Sequence, residues 1–447
     1  MKRKLQVGAV TGAAVLALAS PASAQDALSV EEVQMHLDNT FILIAAALVI
    51  FMQAGFALVE CGLTRTKNAA NIAMKNLMDF CIGALAFFAF GYAFAYGGGG
   101  GFIGGEMGYF LGGGIGDGFG IPGEANLTLG TDFLFQVAFA ATAATIVSGV
   151  IAERTKFTAY LVSVAALAGV IYPIVIHWQW GGGWLSTLST PFHDFAGSTL
   201  VHLTGAVAGL VGAIVVGPRI GKYGKDGKPK AILGHSLPLA MFGTIILFVG
   251  WFGFNGGSVL AADASIGDVA LNTALAAAGG GFACTVVTWA VLGKPDVAMA
   301  CNGLLGGLVG ITASADQMSF VESAIIGLIA GALVVGSVLM FDRLKVDDAV
   351  GAISVHGTCG IWGTLAVGIF GDLAGGGQLV SQAIGVVAVI AFVGATSAIL
   401  FLALKYTVGV RVSEDVELEG LDIHEHGAPG YGETPGIAGL GGVALAD

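Results

Sequence analysis

Two stretches of this chain share one pattern and decide its fold: Asp194-Phe-Ala-Gly-Ser-Thr-Leu-Val-His-Leu-Thr204 and Asp348-Ala-Val-Gly-Ala-Ile-Ser-Val-His-Gly-Thr358. Both read D-x-x-G-x-x-x-V-H-x-T without a gap, and each opens a long apolar segment. Internal repeats of this kind are typical of polytopic membrane proteins. The pattern therefore indicates a membrane protein built from two related halves.

The composition supports a membrane protein. Of the 447 residues, 55% are hydrophobic, only 11% are charged and 73 are glycine. Average soluble domains carry about 25% charged residues, and glycine enrichment suits the close packing of helices in lipid. These numbers exclude a soluble enzyme, a disordered chain and a nucleic-acid binder.

The first 24 residues have the pattern of a signal peptide. Met1-Lys-Arg-Lys4 precedes a short apolar run, and Pro21-Ala-Ser-Ala24 ends that run with small residues. Such a segment is typically cleaved, so we expect residues 1–24 to be removed and the mature chain to begin at Gln25, outside the cytoplasm. An uncleaved anchor is the alternative.

The mature chain contains eleven stretches long enough to span a membrane, each needing about 20 mostly apolar residues. They cover residues 38–62, 72–96, 131–152, 157–178, 196–217, 234–254, 267–292, 299–315, 320–341, 350–370 and 378–408. The expected fold class is an all-α polytopic membrane protein with eleven transmembrane helices. We expect a transmembrane domain at 25–408 and a soluble cytoplasmic tail at 409–447, which is either regulatory or simply solvated.

The charges in the loops predict the orientation. The chain has 18 Lys and Arg, three of them in the signal peptide, and the remaining 15 all lie at the same ends of the predicted helices. The loops at the opposite ends carry Asp and Glu and no basic residue. Because Lys and Arg near helix ends stay in the cytoplasm, we expect the N-terminus outside and the C-terminus inside.

The two histidines of the repeat are predicted to meet near the middle of the membrane. The repeated stretches open predicted helices five and ten, so the two halves form a five-plus-five inverted repeat with helix eleven left over. Each histidine follows its aspartate by eight residues, which corresponds to about 12 Å of helix. Half the thickness of the hydrocarbon core of a bilayer is about 15 Å, so each histidine is expected near the middle of the membrane. His202 and His356 are thus candidate neighbours and functional residues; a hydrogen-bonded packing role is the alternative.

Polar and aromatic residues cluster at the outer side. Asp194 and Asp348 fit helix N-caps, and Asp194 would also lower the cost of bringing a cation to the outer mouth. Aromatic rings recur in residues 177–184 and 251–258. Rings beside a hydroxyl such as that of Ser258 attract a small cation, although an interfacial aromatic belt is the alternative explanation.

With these motifs the chain resembles the ammonium transporter (Amt/MEP/Rh) family and is most similar to its bacterial ammonium channels. The resemblance runs from Gln53-Ala-Gly-Phe-Ala-Leu-Val-Glu60 to the tail at 419–427, and it is strongest in DFAGSTLVHLTGAVAGLVGA from Asp194, WFGFNGGS from Trp251 and VHGTCGIWGTL from Val355. It implies an eleven-helix bundle assembled as a homotrimer, with a pore in each subunit.

The resemblance also assigns seven residues to the pathway. They are Trp180 and Ser258 at an outer recruitment site, Asp194 as the acid that supports it, Phe139 and Phe254 as a gate, and His202 and His356 as paired pore histidines. The stretch between Trp180 and Asp194 looks two residues longer than in the best-known bacterial relatives, which leaves Trp178 and Trp184 as alternatives to Trp180.

The implied function is an ammonium channel in the inner (plasma) membrane, serving nitrogen assimilation. It would recruit ammonium, deprotonate it and conduct ammonia past the histidines, with or without separate proton transfer; methylammonium is a candidate further substrate. No cofactor or metal is expected, and a PII-type regulatory protein is a candidate partner for the tail at 409–427.

Two other functions stay open at this point. An ammonium sensor would signal through the tail, although sensors of the family usually carry an appended signalling domain. A membrane metalloenzyme would use His202, His356 and Cys359 as ligands, but no further ligand or catalytic carboxylate falls at matching depth.

Overall fold

The computed structural model describes residues 28–106, 108–113 and 127–432. Within these ranges the chain forms helices joined by turns, with isolated β-bridges and no β-strand. The all-α class predicted from the sequence is therefore confirmed for the described residues. The predicted signal peptide at 1–24 and the end of the tail, 433–447, lie outside them.

Apolar helices follow one another along the chain. They are α1 (Val30–Leu63), α2 (Thr66–Tyr96), α3 (Leu129–Val150), α4 (Phe157–His177), α5 (Ser198–Val216), α6 (Leu237–Gly257), α7 (Ser265–Leu292), α8 (Val297–Thr312), α9 (Phe320–Arg343), α10 (Ile353–Thr358 continued by Cys359–Ala366) and α11 (Gly376–Thr407). In the described part of the chain, nine of them are long and apolar enough to cross a membrane. The two shorter helices are α8 and α10. Helix α8 is about 24 Å long, which is less than the thickness of the hydrocarbon core of a bilayer, about 30 Å. The count of eleven membrane spans therefore stays a prediction.

The first helix begins at Val30, well before the predicted limit at residue 38. A capping box explains the difference: the backbone N–H of Glu32 donates to the Ser29 hydroxyl (3.1 Å), and the backbone N–H of Ser29 donates to the Glu32 carboxylate (2.8 Å). This reciprocal pair satisfies two donors that a helix start otherwise leaves unpaired. Hydropathy alone does not detect such a polar first turn.

The repeated motif gives α5 and α10 the same start. The Asp194 carboxylate accepts hydrogen bonds from the four backbone N–H groups of residues 197–200 at 2.8–2.9 Å. The Asp348 carboxylate accepts from the three of residues 351–353 at 2.6–3.1 Å. The glycine of each motif has a positive φ, 111° at residue 197 and 83° at residue 351, which a side chain would disfavour. The helix-capping interpretation of both aspartates is confirmed.

The helices differ in how much they are buried, and the difference locates the core. In their most apolar stretches α3 and α5 are mostly buried, whereas α7 and α11 are mostly exposed. Their exposed side chains include Phe282, Trp289 and Ile399. An apolar exterior around a buried core is what a lipid environment requires, so α3 and α5 form the centre of the bundle.

Ion pairs join the helices at the side of the bundle where the basic loops lie. We call this side the basic end; it comprises residues 64–65, 151–156, 217–236, 293–296 and 344–352. Glu153 accepts from Arg65 at 2.8 Å and from Arg219 at 2.5 Å, and Arg219 also pairs with Asp347 at 2.9 Å. Burial by itself raises the pKa of Glu153, but the charges of Arg219 and Arg65 outweigh it and hold that pKa at about 2. These pairs fix the loops after α1, α3 and α5 relative to the start of α10.

The described part of the tail packs against the same basic end. It forms two short helices, α12 (Glu414–Glu419) and α13 (Leu421–His426). The Asp422 carboxylate accepts from the backbone N–H groups of Ala70 and Asn71 at 3.0 and 2.9 Å. Asp422 thus caps the start of α2, while most other side chains of α12 and α13 are exposed. The choice between a regulatory and a solvated tail stays a prediction.

Candidate functional site

The two repeated histidines lie against each other in the core. The Nδ1 atoms of His202 and His356 are 3.1 Å apart, and their ring centroids are 5.1 Å apart at an angle of 22°. Both side chains are buried, with exposures of 0% and 4%. Each lies within a wide π-helical turn, Ser198–Leu203 in α5 and Ile353–Thr358 in α10, and such turns concentrate at functional sites. The structure thus brings together the pair that the inverted repeat predicts.

The contact between the two rings restricts their protonation. At 3.1 Å one Nδ1 donates a hydrogen bond and the other accepts it, so the accepting ring is neutral. When both rings are neutral, the donor presents a bare Nε2 and the acceptor presents an Nε2–H group. Nε2 of His202 has no hydrogen-bond partner among the described residues. The pair therefore offers one donor and one acceptor to a small molecule passing beside it.

Aromatic rings cover the histidines on one side. His202 stacks on Trp251 and Phe254, with centroid distances of 5.1 and 5.3 Å. Phe254 in turn lies 4.2 Å from Phe139, centroid to centroid. The indole N–H of Trp251 donates to the hydroxyl of Thr312 at 2.9 Å, which fixes the ring. Trp251 was not among the predicted site residues, although its spacing of three from Phe254 places both on one helix face.

A cavity of about 60 Å³ lies beyond the two phenylalanines, on the side away from the basic end. We call it the outer cavity, because the predicted orientation places that side outside. Its walls include Phe139, Trp180 and Ser258, together with Gln136 and Phe195. The Ser258 hydroxyl donates to the Phe254 carbonyl at 2.8 Å, so its oxygen lone pairs stay available as acceptors. The volume and lining suit a small cation held by an aromatic face and a hydroxyl oxygen.

The three candidate tryptophans differ in whether they line this cavity. Trp180 lines the outer cavity and lies 6.1 Å from Phe139, ring to ring. Trp178 is buried against Phe102 and Phe392 instead, and Trp184 packs on Trp178 at 5.7 Å. Of the three, Trp180 is the one that reaches the cavity within the described residues.

Asp194 does not reach that cavity with its carboxylate. Both carboxylate oxygens are engaged by the start of α5, and the side chain is fully buried. Its contribution is indirect, because its backbone carbonyl accepts from the indole N–H of Trp180 at 2.9 Å. Asp194 therefore holds the Trp180 ring in place through its backbone carbonyl, while its carboxylate caps α5, as the helix-capping prediction expects.

Two further cavities lie on the other side of the histidines. One of about 20 Å³ is bordered by His356, Phe56 and Glu60. We call this the inner cavity. The other cavity, of about 490 Å³, opens at the basic end, and we call it the vestibule. Asn302 and Val350 border both. The histidine pair therefore lies between an outer cavity closed off by two phenylalanines and an inner cavity that adjoins a wide vestibule.

The thiol of Cys359 does not join His202 and His356 in a set of metal ligands. The Cys359 thiol contacts the Ala330 carbonyl at 3.5 Å. Among the described residues, no group of three or more His, Cys, Asp and Glu side chains is placed to hold a metal ion.

A bundle of membrane-length apolar helices around a buried polar pair, with cavities on both sides of that pair, defines a membrane transport protein. The chain belongs to the Ammonium Transporter Family, whose sequence model matches residues 40–431. This is a family of transporters rather than enzymes, as the sequence analysis predicted.

Relatives and solved structures agree with this membership. The chain is 44% identical to ammonium transporter Amt2 of Archaeoglobus fulgidus, covering 90% of this chain and 89% of that protein, and 41% identical to Amt1 of Haloferax mediterranei, covering 91% and 81%. A solved structure described as a sensor Amt protein superposes with a TM-score of 0.84 at 38% identity, covering 89% of this chain and 100% of that one. Candida albicans Mep2 superposes with a TM-score of 0.76 at 29% identity, covering 85% and 87%.

Proposed function

We propose that this chain moves ammonium across a membrane by recruiting the cation at Trp180 and Ser258, removing its proton near Phe139 and Phe254, and conducting ammonia past His202 and His356. The observation that carries the proposal is the buried pair with its Nδ1 atoms 3.1 Å apart, lying between two cavities. Family membership supplies the substrate class.

The electrostatic cost of the core explains why the proton is removed. A charged group at the centre of a bilayer costs several kcal/mol even on lenient scales, and the rings of Phe139 and Phe254 offer no compensating polar atom. Neutral ammonia avoids most of that cost. It still needs hydrogen-bond partners in an apolar path, and the unpartnered Nε2 of His202 supplies one.

The proton has two possible fates. It returns to the outer solution, which makes transport electroneutral, or it follows along the histidines, which makes transport electrogenic. Currents recorded from bilayers containing the purified protein separate the two, because an ammonium-dependent current belongs to the electrogenic version alone.

The remaining features of the proposal concern topology and assembly. The eleven helices span the inner membrane with the basic end in the cytoplasm, after removal of residues 1–24. Residues 25–408 form the transmembrane domain, three copies assemble with a pore in each, and the tail from residue 409 binds a PII-type protein. The positive-inside rule supports the orientation, and the repeated starts of α5 and α10 support the five-plus-five inverted repeat.

A sensor role is the second candidate, favoured by the likeness to the structure described as a sensor Amt protein. A sensor would bind ammonium and pass a signal through the tail without net uptake. Uptake of labelled methylammonium separates the two functions, since only a transporter accumulates it.

The proposal is tested by expressing the chain in a strain that lacks its own ammonium transporters. We expect the wild type to restore uptake, and we expect Trp180→Ala and His202→Ala to lower it. Trp184→Ala is the matched control, because that ring lies outside the outer cavity. Full uptake by both Trp180→Ala and His202→Ala would refute the site assignment.

A further inference from the structure

Three ionisable side chains that the proposed pathway does not use are buried together inside the bundle. Glu60 belongs to α1, and Lys75 and Asp79 belong to α2; their exposures are 3%, 1% and 0%. Ionisable groups in the interior of a membrane protein are costly and are by default candidates for function. We therefore followed their contacts.

A continuous chain of contacts joins the three groups. The Ser148 hydroxyl donates to Glu60 Oε2 at 2.8 Å, and Lys75 Nζ donates to the Ser148 carbonyl at 3.1 Å. Lys75 Nζ also lies 4.8 Å from the centre of the Tyr160 ring, and the Tyr160 hydroxyl donates to the Asp79 carboxylate. Each group is thus held in place by an uncharged neighbour, Ser148 or Tyr160.

The charges in this cluster do not balance. Two carboxylates and one ammonium group leave one excess negative charge when all three are ionised. Burying an uncompensated charge is strongly unfavourable, so one added proton brings the cluster to neutrality. The cluster can therefore accept and release one proton at lower cost than an isolated buried carboxylate.

Glu60 is the member of the cluster that reaches the pathway. It borders the inner cavity of about 20 Å³, whose wall is mostly apolar but includes the polar side chains of Thr145, Asn302 and His356. A cavity of that size with several polar groups in its wall holds about one water molecule. Asn302 and Val350, which border the same cavity, also border the vestibule at the basic end. Glu60 thus lies between the histidine pair and the opening of the pathway.

We propose that Glu60 is the proton-relay residue of the inner half of the pathway, accepting through one water molecule the proton that ammonium gives to the histidine pair. The inference rests on the proposed function in its electrogenic form. Ser148, whose hydroxyl donates to the Glu60 carboxylate, and Lys75, which donates to the Ser148 carbonyl, are positioning residues.

The relay is balanced in protons and charge. Ammonium gives one proton to the bare Nε2 of His202 and continues as ammonia. The proton between the rings moves from Nδ1 of His202 to Nδ1 of His356. The N–H bond at His356 Nε2 then breaks as its proton passes to the water, while the water gives another proton to the Glu60 carboxylate and an O–H bond forms there. Glu60 next releases its proton towards the vestibule and regains its negative charge. One proton and one ammonia cross in each cycle, which closes when the two rings return to their starting tautomers.

The experiment compares two signals from the purified full chain in liposomes. A jump in external ammonium gives a current on a solid-supported membrane if protons cross. A pH dye inside the liposomes reports ammonia that enters without its proton, because such ammonia binds a proton inside and alkalinises the interior, whereas ammonia that enters together with one proton leaves the internal pH nearly unchanged. For Glu60→Gln, which keeps the size of the side chain, we expect the current to fall by about tenfold or more, and we expect more alkalinisation than in the wild type, because ammonia then enters while its proton returns to the outer solution. We expect Glu60→Asp, which keeps a carboxylate, to recover part of the current.

Asp342→Asn is the matched control, since it removes a carboxylate from the wall of the vestibule but not from the inner cavity; it should leave the current unchanged. A Glu60→Gln current of wild-type size would overturn the relay. So would a loss of current without the added alkalinisation, which would indicate a general role in pore structure. Ammonia influx without current in the wild type would overturn the relay and leave the proposed function intact, whereas the absence of both would refute the proposed function.

Discussion

Replacing Trp180 by alanine tests the recruitment site most sharply. The indole ring lines the outer cavity with Ser258 and is fixed by its hydrogen bond to the Asp194 carbonyl. A cation beside an aromatic face gains about 1–2 kcal/mol when it is partly desolvated. Since about 1.4 kcal/mol corresponds to a tenfold change in an equilibrium constant, Trp180→Ala should raise the half-saturating concentration of ammonium by about 5- to 30-fold.

The assay is the concentration dependence of methylammonium uptake in cells that lack other ammonium transporters. Trp184→Ala should keep the wild-type half-saturating concentration, because its ring packs on Trp178 away from the cavity. Trp180→Phe should lie between the wild type and Trp180→Ala, since it keeps a ring and loses the hydrogen bond to Asp194. An unchanged value in Trp180→Ala, or an equal increase in Trp184→Ala, would refute the reasoning.

Three further predictions concern the framework of the site. In Gly360→Ala the new Cβ would lie 2.5 Å from a backbone carbonyl oxygen of α5. We therefore expect this variant to lose about 1–3 kcal/mol of folding stability and to show reduced uptake. Gly336→Ala, with open space around the new Cβ, should behave as the wild type. Because the pKa of Glu153 is about 2 in the folded protein and ordinarily near 4.5, its stabilising effect is present above pH 4.5 and is lost as the pH falls towards 2. The difference in thermal midpoint between wild type and Glu153→Gln should accordingly shrink below pH 4.5, and a constant difference would contradict this. Asp194→Ala should lower the midpoint more than Asp348→Ala, since four rather than three backbone donors lose their acceptor; equal losses would count against the capping account.

The contact between the two histidines was predictable because it depends on few quantities. The repeated motif sets equal distances from each aspartate to its histidine, and the helix rise converts those distances into equal depths from opposite faces. The positions of most helices followed from hydropathy for a similar reason, because lipid imposes a minimum apolar length. The start of α1 did not follow, since the capping box of Ser29 and Glu32 is a local polar feature.

Side-chain direction and packing between distant helices account for what the sequence did not reveal. Whether Asp194 faces the cavity or the start of α5 depends on a rotamer, which spacing does not specify. The cluster of Glu60, Lys75 and Asp79 requires α1 and α2 to pack against Ser148 of α3 and Tyr160 of α4. A charged residue within an apolar span is itself a signal in the sequence, but the contacts that join these residues exist only in the folded bundle.

The most direct test of the proposed function is the rate of ammonia entry into liposomes that contain the purified chain. After a jump in external ammonium, the account predicts that the total of ammonium and ammonia inside the liposomes rises faster with the wild type than in protein-free liposomes, whether or not the proton follows, and that His202→Ala slows this rise. A rise no faster than in protein-free liposomes, or an unchanged rate in His202→Ala, would contradict conduction of ammonia past the histidine pair.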